Sequence, residues 1–311
     1  MARSSLYSAV PGPRHANPFR LRMTLSCVER AGARWPPRAV LIVLSVLLAG
    51  TPNASSEDGL SWRPLRDGLM LAVWEPGLQC DEDVPPLVVV KIDPEQYRFA
   101  TYHYVDEKLP APLTMKEWQR RTGAVLLFNA GLFRDDYSYL GWLFKEGRAL
   151  GAKRHPQWQG LFVAEPTVPG LRKARVVDLA VEPFSVETMA YREAAQSLML
   201  LDQKGKPRVR QSGKRAHQTI VAEDRDGNIL LMKTTDEVGL WDLALCLRDQ
   251  LAAIHQAMVM DGGGSSDLLI DPELAEAHAE ALKNYRPFVD GSGMGHIPLP
   301  AVIGVAPRQS P

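Results

Sequence analysis

The chain lacks a surplus of positive charge. Its 311 residues carry 36 Lys and Arg against 36 Asp and Glu. The imbalance that exists sits at the N-terminus, where residues 1–50 hold seven arginines (Arg3, Arg14, Arg20, Arg22, Arg30, Arg34, Arg38) and one acid, Glu29. The remainder holds 29 basic and 35 acidic residues. An acidic body excludes general nucleic-acid affinity, which needs a basic surface to displace counter-ions. No nucleic-acid partner is expected.

Long apolar runs are also missing. Ala39–Gly50 has 12 residues, against about 20 for a comfortable membrane span. Behind Arg30, Arg34 and Arg38 it fits the apolar core of a secretory signal, with Ala49–Ala54 as the cleavage zone. That zone has no small-x-small motif of the A-x-A kind. The alternative to an exported chain, periplasmic or secreted, is therefore one anchored by an uncleaved N-terminus. Membrane contact would then be through residues 39–50 alone. Met23 would start a signal of more ordinary length.

Cysteine is scarce. Cys27 would leave with the signal, and no Cys near the cleavage zone offers a lipid attachment. Cys80 and Cys246 either pair in an oxidising compartment or remain two buried thiols. Asn53-Ala54-Ser55 is a glycosylation sequon.

Several chemical signatures are absent too. No G-x-S-x-G nucleophile elbow occurs. The Gly291–Gly295 stretch runs into Pro298 and Pro300, where a dinucleotide loop would open a helix. Asp261 with Asp267, or Asp135 with Asp136, offers oxygen ligands to a divalent cation, but at no EF-hand spacing. A divalent cation is the one cofactor to be considered, and none is certain. There are no repeats.

What is present is an ordinary globular composition, 45% hydrophobic and 23% charged. Residues 1–54 form an extension and signal, 55–84 a linker leading into the domain, and 85–307 the domain itself. Leu87–Ile92 is a continuous apolar strand and Tyr97–Tyr104 an alternating one. Thr114, with Glu117 three residues on, caps a short helix over Met115–Arg121. Thr219–Ala222 and Ile229–Lys233 flank Asp226-Gly227, a hairpin signal. Leu240, Leu243, Leu247, Leu251 and Ile254 make one apolar stripe, predicting a helix from Leu240 to about Gln256. Many short strands with one long helix and few peripheral helices predict an α+β fold on a mixed, mostly antiparallel sheet.

Two polar loops follow buried strands. Ala124–Phe128 runs into Asn129-Ala130-Gly131-Leu132-Phe133. Ala257–Met260 runs into Asp261-Gly262-Gly263-Gly264-Ser265-Ser266. Three successive glycines are costly to order, so such a run persists where backbone must pass close to something or adopt positive φ. This pair of loops, in this order, resembles the phosphodiester glycosidase family. Gln196, Thr219, the helix from Leu240 and Pro300–Val305 fall where that family places its other motifs, and the resemblance covers roughly residues 85–307. Two positions depart from the family pattern: Gln218 stands before Thr219 where Arg is common, and no Pro follows Gln196.

The resemblance implies cleavage of a sugar-1-phosphodiester or a related glycan linkage, as in bacterial exopolysaccharide-associated relatives. Phosphate leaves as a stable anion. The site must therefore stabilise that charge and deliver water or a nucleophile to an oxocarbenium-like carbon. Asp261 is the candidate base, nucleophile or charge stabiliser, and Asn129 binds sugar hydroxyls or orients Asp261. The amides of Gly262, Gly263 and Gly264, with Arg215 or Lys153, would hold the phosphate. Gly131, Arg154, His155, Gln196, His217, Thr219, Ser265 and Ser266 complete the expected substrate-binding set. Duller readings stand beside these: Asp261 capping its own turn, and Ser265 and Ser266 as turn hydroxyls. A binding protein without turnover is the rival function.

Overall fold

The computed structural model describes residues 59–80, 84–151, 153–185, 189–291 and 297–309. The Ala39–Gly50 run, the sequon and most of the Gly291–Gly295 stretch lie outside them.

The chain runs β1 (Arg63–Arg66), β2 (Leu69–Trp74), β3 (Leu87–Ile92), β4 (Tyr97–His103), α1 (Met115–Thr122), β5 (Leu126–Asn129), β6 (Leu143–Lys145), β7 (Arg148–Ala149), β8 (Gly160–Pro166), β9 (Ala174–Asp178) and β10 (Tyr191–Leu201). It continues through β11 (Arg215–Ala216), β12 (Gln218–Asp224), β13 (Ile229–Thr234), β14 (Val238–Gly239), α2 (Leu240–Gln250), β15 (Ile254–Gly262), β16 (Leu268–Ile270), α3 (Pro272–Ala277) and β17 (Ala301–Pro307).

The main sheet has the order β1-β2-β3-β13-β12-β15-β10-β6-β7, with β8 also on β10 and β9 beyond it. A second sheet has the order β16-β5-β17-β4. The strand ladders among the described residues are antiparallel, for example β12 with β13 and β17 with β4. The main sheet takes in β1 and β2, ahead of residue 85.

The apolar runs are continuous because the main sheet is covered on both faces. In β15, Ala257 and Val259 point to the side of α2, where Leu243 and Leu247 pack. Met258 and Met260 point to the other side, toward Phe128 and Ile303 of the second sheet. Phe162 of β8 seals the two sheets with edge-on contacts to Phe99 (5.2 Å) and Phe128 (6.1 Å).

The Thr114 cap is present as a reciprocal capping box with Glu117, and Gly123 closes α1 in the left-handed conformation at φ 62°. The hairpin about Asp226-Gly227 forms as expected. The long helix does not: α2 stops at Gln250 with Leu251 as its cap. Ile254 already pairs with Asp224 as the first residue of β15. Leu251 and Ile254 still join the core beneath α2, so a turn and a strand start extended the helical-looking stripe.

Cys80 and Cys246 form a disulfide, Cα to Cα 5.3 Å. It fastens the segment after β2 to α2. Among the described residues no helix is long and apolar enough to cross a membrane.

Candidate active site

The site lies where β5 and β15 end. β15 finishes in Asp261 and Gly262, and Gly263–Ser265 makes a single 3₁₀ turn before β16 returns the chain to β5. That return brings the two loops together. Asn129 Oδ1 accepts the Asp267 amide at 3.1 Å, and the Asn129 amide donates to the Asp267 carbonyl at 3.3 Å.

Asp261 is largely enclosed. Burial pushes its carboxyl up to about 6, against hydrogen bonds from the Gly262 amide and the Ser265 hydroxyl that pull it down. The Gly262 amide reaches Oδ1 at 2.8 Å. Asp261 therefore caps its own turn and also holds a carboxyl that changes charge near neutrality.

The glycine loop is not the bare nest expected. The Gly262 amide is taken by Asp261, and the Gly263 amide donates to the His217 carbonyl at 2.9 Å. Two of the three glycine amides are thus already engaged, one within the loop and one by the segment before β12. Steric need explains Gly262, since a Cβ there would stand 3.0 Å from Gln218 Oε1 and 3.1 Å from the His217 carbonyl. At Gly263 the need is conformational, with φ at +68°.

Beneath the loop lies Lys233, which sequence reasoning missed. It stands opposite Thr219 in the β12–β13 register, and both are buried. Its Nζ donates to the Ser266 carbonyl at 2.5 Å and to Ser266 Oγ at 2.6 Å. Thr219 Oγ1 lies 2.9 Å from the same Oγ. Burial lowers the Lys233 pKa to about 8, with the Asp267 charge opposing. Ser266 is buried and held from two sides, which makes it a loop anchor and not a nucleophile. A Lys at the end of the apolar run Ile229–Met232 was the available signal.

Tyr139, also unpredicted, braces the first loop. Its hydroxyl donates to the Ala130 carbonyl at 2.7 Å and lies 3.1 Å from the Gln196 carbonyl. Burial, reinforced by Asp261, raises its pKa. A Cβ on Gly131 would come within 2.4 Å of that hydroxyl, at φ +137°.

Gln196 is saturated. Oε1 accepts the amides of Trp142 (3.0 Å) and His155 (2.9 Å), while Nε2 donates to the carbonyls of His155 (2.8 Å) and Trp158 (2.6 Å). It pins the 155–158 loop and leaves no atom for a substrate. The His155 ring stacks on Trp158 at 3.9 Å. Arg154 is exposed and bonds Gln159 Oε1 and the Leu179 carbonyl. Arg215 is exposed on β11, with its guanidinium on the Glu237 carbonyl at 3.0 Å. Lys153 is exposed as well.

Three site residues keep a buried side-chain nitrogen without a hydrogen-bond partner: Asn129 Nδ2, His155 Nδ1 and His217 Nδ1. Buried polar atoms are nearly always satisfied, so these three nitrogens are open to a hydrogen-bond partner. Among the described residues no group of three or more His, Cys, Asp or Glu side chains could hold a metal ion.

The sequence pattern of the phosphodiester glycosidase family matches residues 122–306. A hypothetical protein from Synechocystis is similar in structure, with a TM-score of 0.53 at 12% identity over 80% of this chain and 64% of that one. This chain thus spans less than two thirds of that relative. The zebrafish N-acetylglucosamine-1-phosphodiester alpha-N-acetylglucosaminidase catalytic domain, auto-inhibited by its pro-peptide, gives a TM-score of 0.50 at 12% identity, over 82% of this chain and 86% of that one. At such identity these two likenesses concern the fold. No curated protein matches the sequence.

Proposed function

Because the chain belongs to the phosphodiester glycosidase family, we propose that it is an exported hydrolase that cleaves a glycosyl phosphodiester, or a closely related linkage, in a glycan. The observation that carries this reading is the meeting of the two loops through Asn129 and Asp267, next to a glycine turn whose Asp261 carboxyl burial pushes up to about 6.

In this mechanism the sugar C1 lies against Asp261. The carboxylate takes a proton from water as the water oxygen bonds to C1. The C1–O bond breaks, and the phosphate monoester departs with the electron pair. With pKa about 6, Asp261 is mostly ionised at neutral pH yet still basic enough to accept that proton. His217 and the outer part of the glycine loop face the departing anion. Asn129 donates through Nδ2 to a sugar hydroxyl, and the His155–Trp158 stack supplies a wall for the ring. Lys233 holds the loop through Ser266 and adds positive charge beneath it.

Export rests on the Arg-flanked run Ala39–Gly50 and is supported by the Cys80–Cys246 disulfide, a bond of oxidising compartments. Mass spectrometry of the mature N-terminus tests it: an intact Leu41–Leu48 segment would mean an anchored chain.

The catalytic reading is tested by incubating the protein with a panel of sugar-1-phosphodiesters and measuring release of phosphate monoester. Turnover by wild type and its loss in Asp261→Asn support it. A specific observation favours the rival, glycan binding without turnover: two glycine amides are engaged internally and Arg215 bonds Glu237. Glycan binding with no release from any member of the panel would establish that rival.

A further inference from the structure

A polar cleft of about 470 Å³ is lined by strands of both sheets. Its floor is the outer edge of β4, an end strand of the second sheet. The exposed amides of such an edge need partners, and here acids of the main sheet supply them. Glu165 accepts the Phe99 amide at 3.0 Å and Glu193 the Thr101 amide at 2.9 Å. Glu193 also takes the Glu146 amide at 3.0 Å.

These acids are therefore committed to backbone, and Glu165 also to a two-pronged pair with Arg308 at 2.7 and 2.8 Å. Lys145 is likewise held by Asp106 and Glu107. Three further cations line the cleft: Arg98, Lys173 and Arg192. None of the three forms an ion pair or side-chain hydrogen bond with a described residue. Glu165 is matched by Arg308, while Glu193 and Glu146 stand against the three cations, which leaves one positive charge in excess to attract an anion. Glu146 is the single lining acid outside such commitments.

One wall is also strained. Glu146 (φ +50°) and Glu165 (φ +58°) are two of the four non-glycine residues with positive φ among the described residues. At Glu146 this is the ordinary geometry of the two-residue turn from β6 to β7, whereas at Glu165, on β8, it costs energy. Arg192 precedes Gln196 by four positions on β10, which puts the cleft roughly 13 Å along the strand from the catalytic end.

We propose that this cleft is a second anion-binding site, which takes a phosphate, sulfate or carboxylate group carried on a glycan chain through Arg98, Lys173 and Arg192. Its volume suits a charged monosaccharide unit. The glycan part rests on the function proposed above; the anion part rests on the cleft alone. An anionic polymer cut at one linkage would lay another charged unit here, so affinity for long substrates would exceed that for short ones.

The test is calorimetric titration of the full-length protein with inorganic phosphate and with a heparin tetrasaccharide as a sulfated glycan probe. The proteins are wild type, Arg98→Gln/Arg192→Gln, the surface control Arg66→Gln/Arg120→Gln, and Asp261→Asn. The cleft variant is expected to lose tetrasaccharide affinity by roughly 10- to 100-fold, the worth of one or two charge-assisted hydrogen bonds. The control and Asp261→Asn keep it, and the cleft variant keeps its turnover of a small sugar-1-phosphodiester. If the cleft variant and the control bind equally, the attraction is diffuse charge and the proposal falls. If phosphate binds in the cleft but the tetrasaccharide does not, the glycan assignment falls. If wild type turns over no phosphodiester yet the cleft variant alone loses binding, the cleft stands and the proposed catalytic function falls.

Discussion

Asn129 and Asp267 hold each other at two points, side-chain oxygen to amide at 3.1 Å and amide to carbonyl at 3.3 Å. They lie 138 positions apart in sequence. This clasp joins the end of β5 to the far side of the glycine loop and makes one site of two loops. It also engages Oδ1 of the Asn129 side chain and leaves Nδ2 without a hydrogen-bond partner.

Asp261→Asn is expected to lower kcat by roughly 10²–10⁴-fold with the fold intact, the usual worth of a positioned base. Activity of wild type should rise with pH through a single limb near 6, because the ionised carboxylate does the work. Steady-state kinetics from pH 4 to 8 checks both. A flat profile below pH 7 would contradict the assigned role.

The same carboxyl has a stability signature. Its folded pKa of about 6 lies above the model-compound value of 3.8, so the folded state binds the proton more tightly. Stability from this group is therefore greatest below about pH 4 and is lost as pH rises through 6. Asp261→Asn should remove that fall and raise stability at pH 7.5 by about 1–3 kcal/mol. Urea unfolding at pH 5 and pH 7.5 measures it.

Lys233→Met would remove the ammonium donor from the Ser266 carbonyl and hydroxyl, leaving the hydroxyl its bond with Thr219. The expected loss is about 1–3 kcal/mol, partly offset because the ammonium no longer has to be buried. The loop would shift and kcat/KM should fall about tenfold or more, since small displacements at a site are costly. Lys233 has a folded pKa of about 8, below its reference of 10.5. Wild type should gain stability between pH 8 and 10.5, and the variant should lack that gain.

Two glycine substitutions should separate crowding from backbone strain. Gly131→Ala would drive a methyl against the Tyr139 hydroxyl at 2.4 Å, on backbone at φ +137°. Gly263→Ala meets nothing within 4 Å and bears only its φ of +68°. The first should cost about 3 kcal/mol or more and the second about 1 kcal/mol. Thermal unfolding of the pair reads the difference, and equal shifts would show that the Tyr139 contact yields.

Cys80→Ser should lower the melting temperature. The Cys80–Cys246 bond spans 166 positions, and closing so large a loop is worth up to about 5 kcal/mol of unfolded-chain entropy. Reduction of wild type should reproduce the shift of Cys80→Ser; no shift in either would mean that the bond constrains little.

Much of this molecule was legible in its residues. Apolar runs without alternation announced strands buried on both faces, Thr114 with Glu117 announced a helix start, and two polar loops at strand ends announced segments that the fold brings together. These are local matters, set by side-chain period, capping chemistry and the backbone freedom of glycine. The end of α2 was not legible, since Leu251 and Ile254 keep a helical spacing while belonging to a turn and a strand. Nor was Lys233, which becomes a buried cation only because β13 lies beneath a loop thirty residues further on. Gln196 looked like a ligand and is instead held on four sides by backbone. In each case the outcome depended on which groups folding brings within hydrogen-bond reach, and that is a property of long-range packing that no stretch of sequence carries alone.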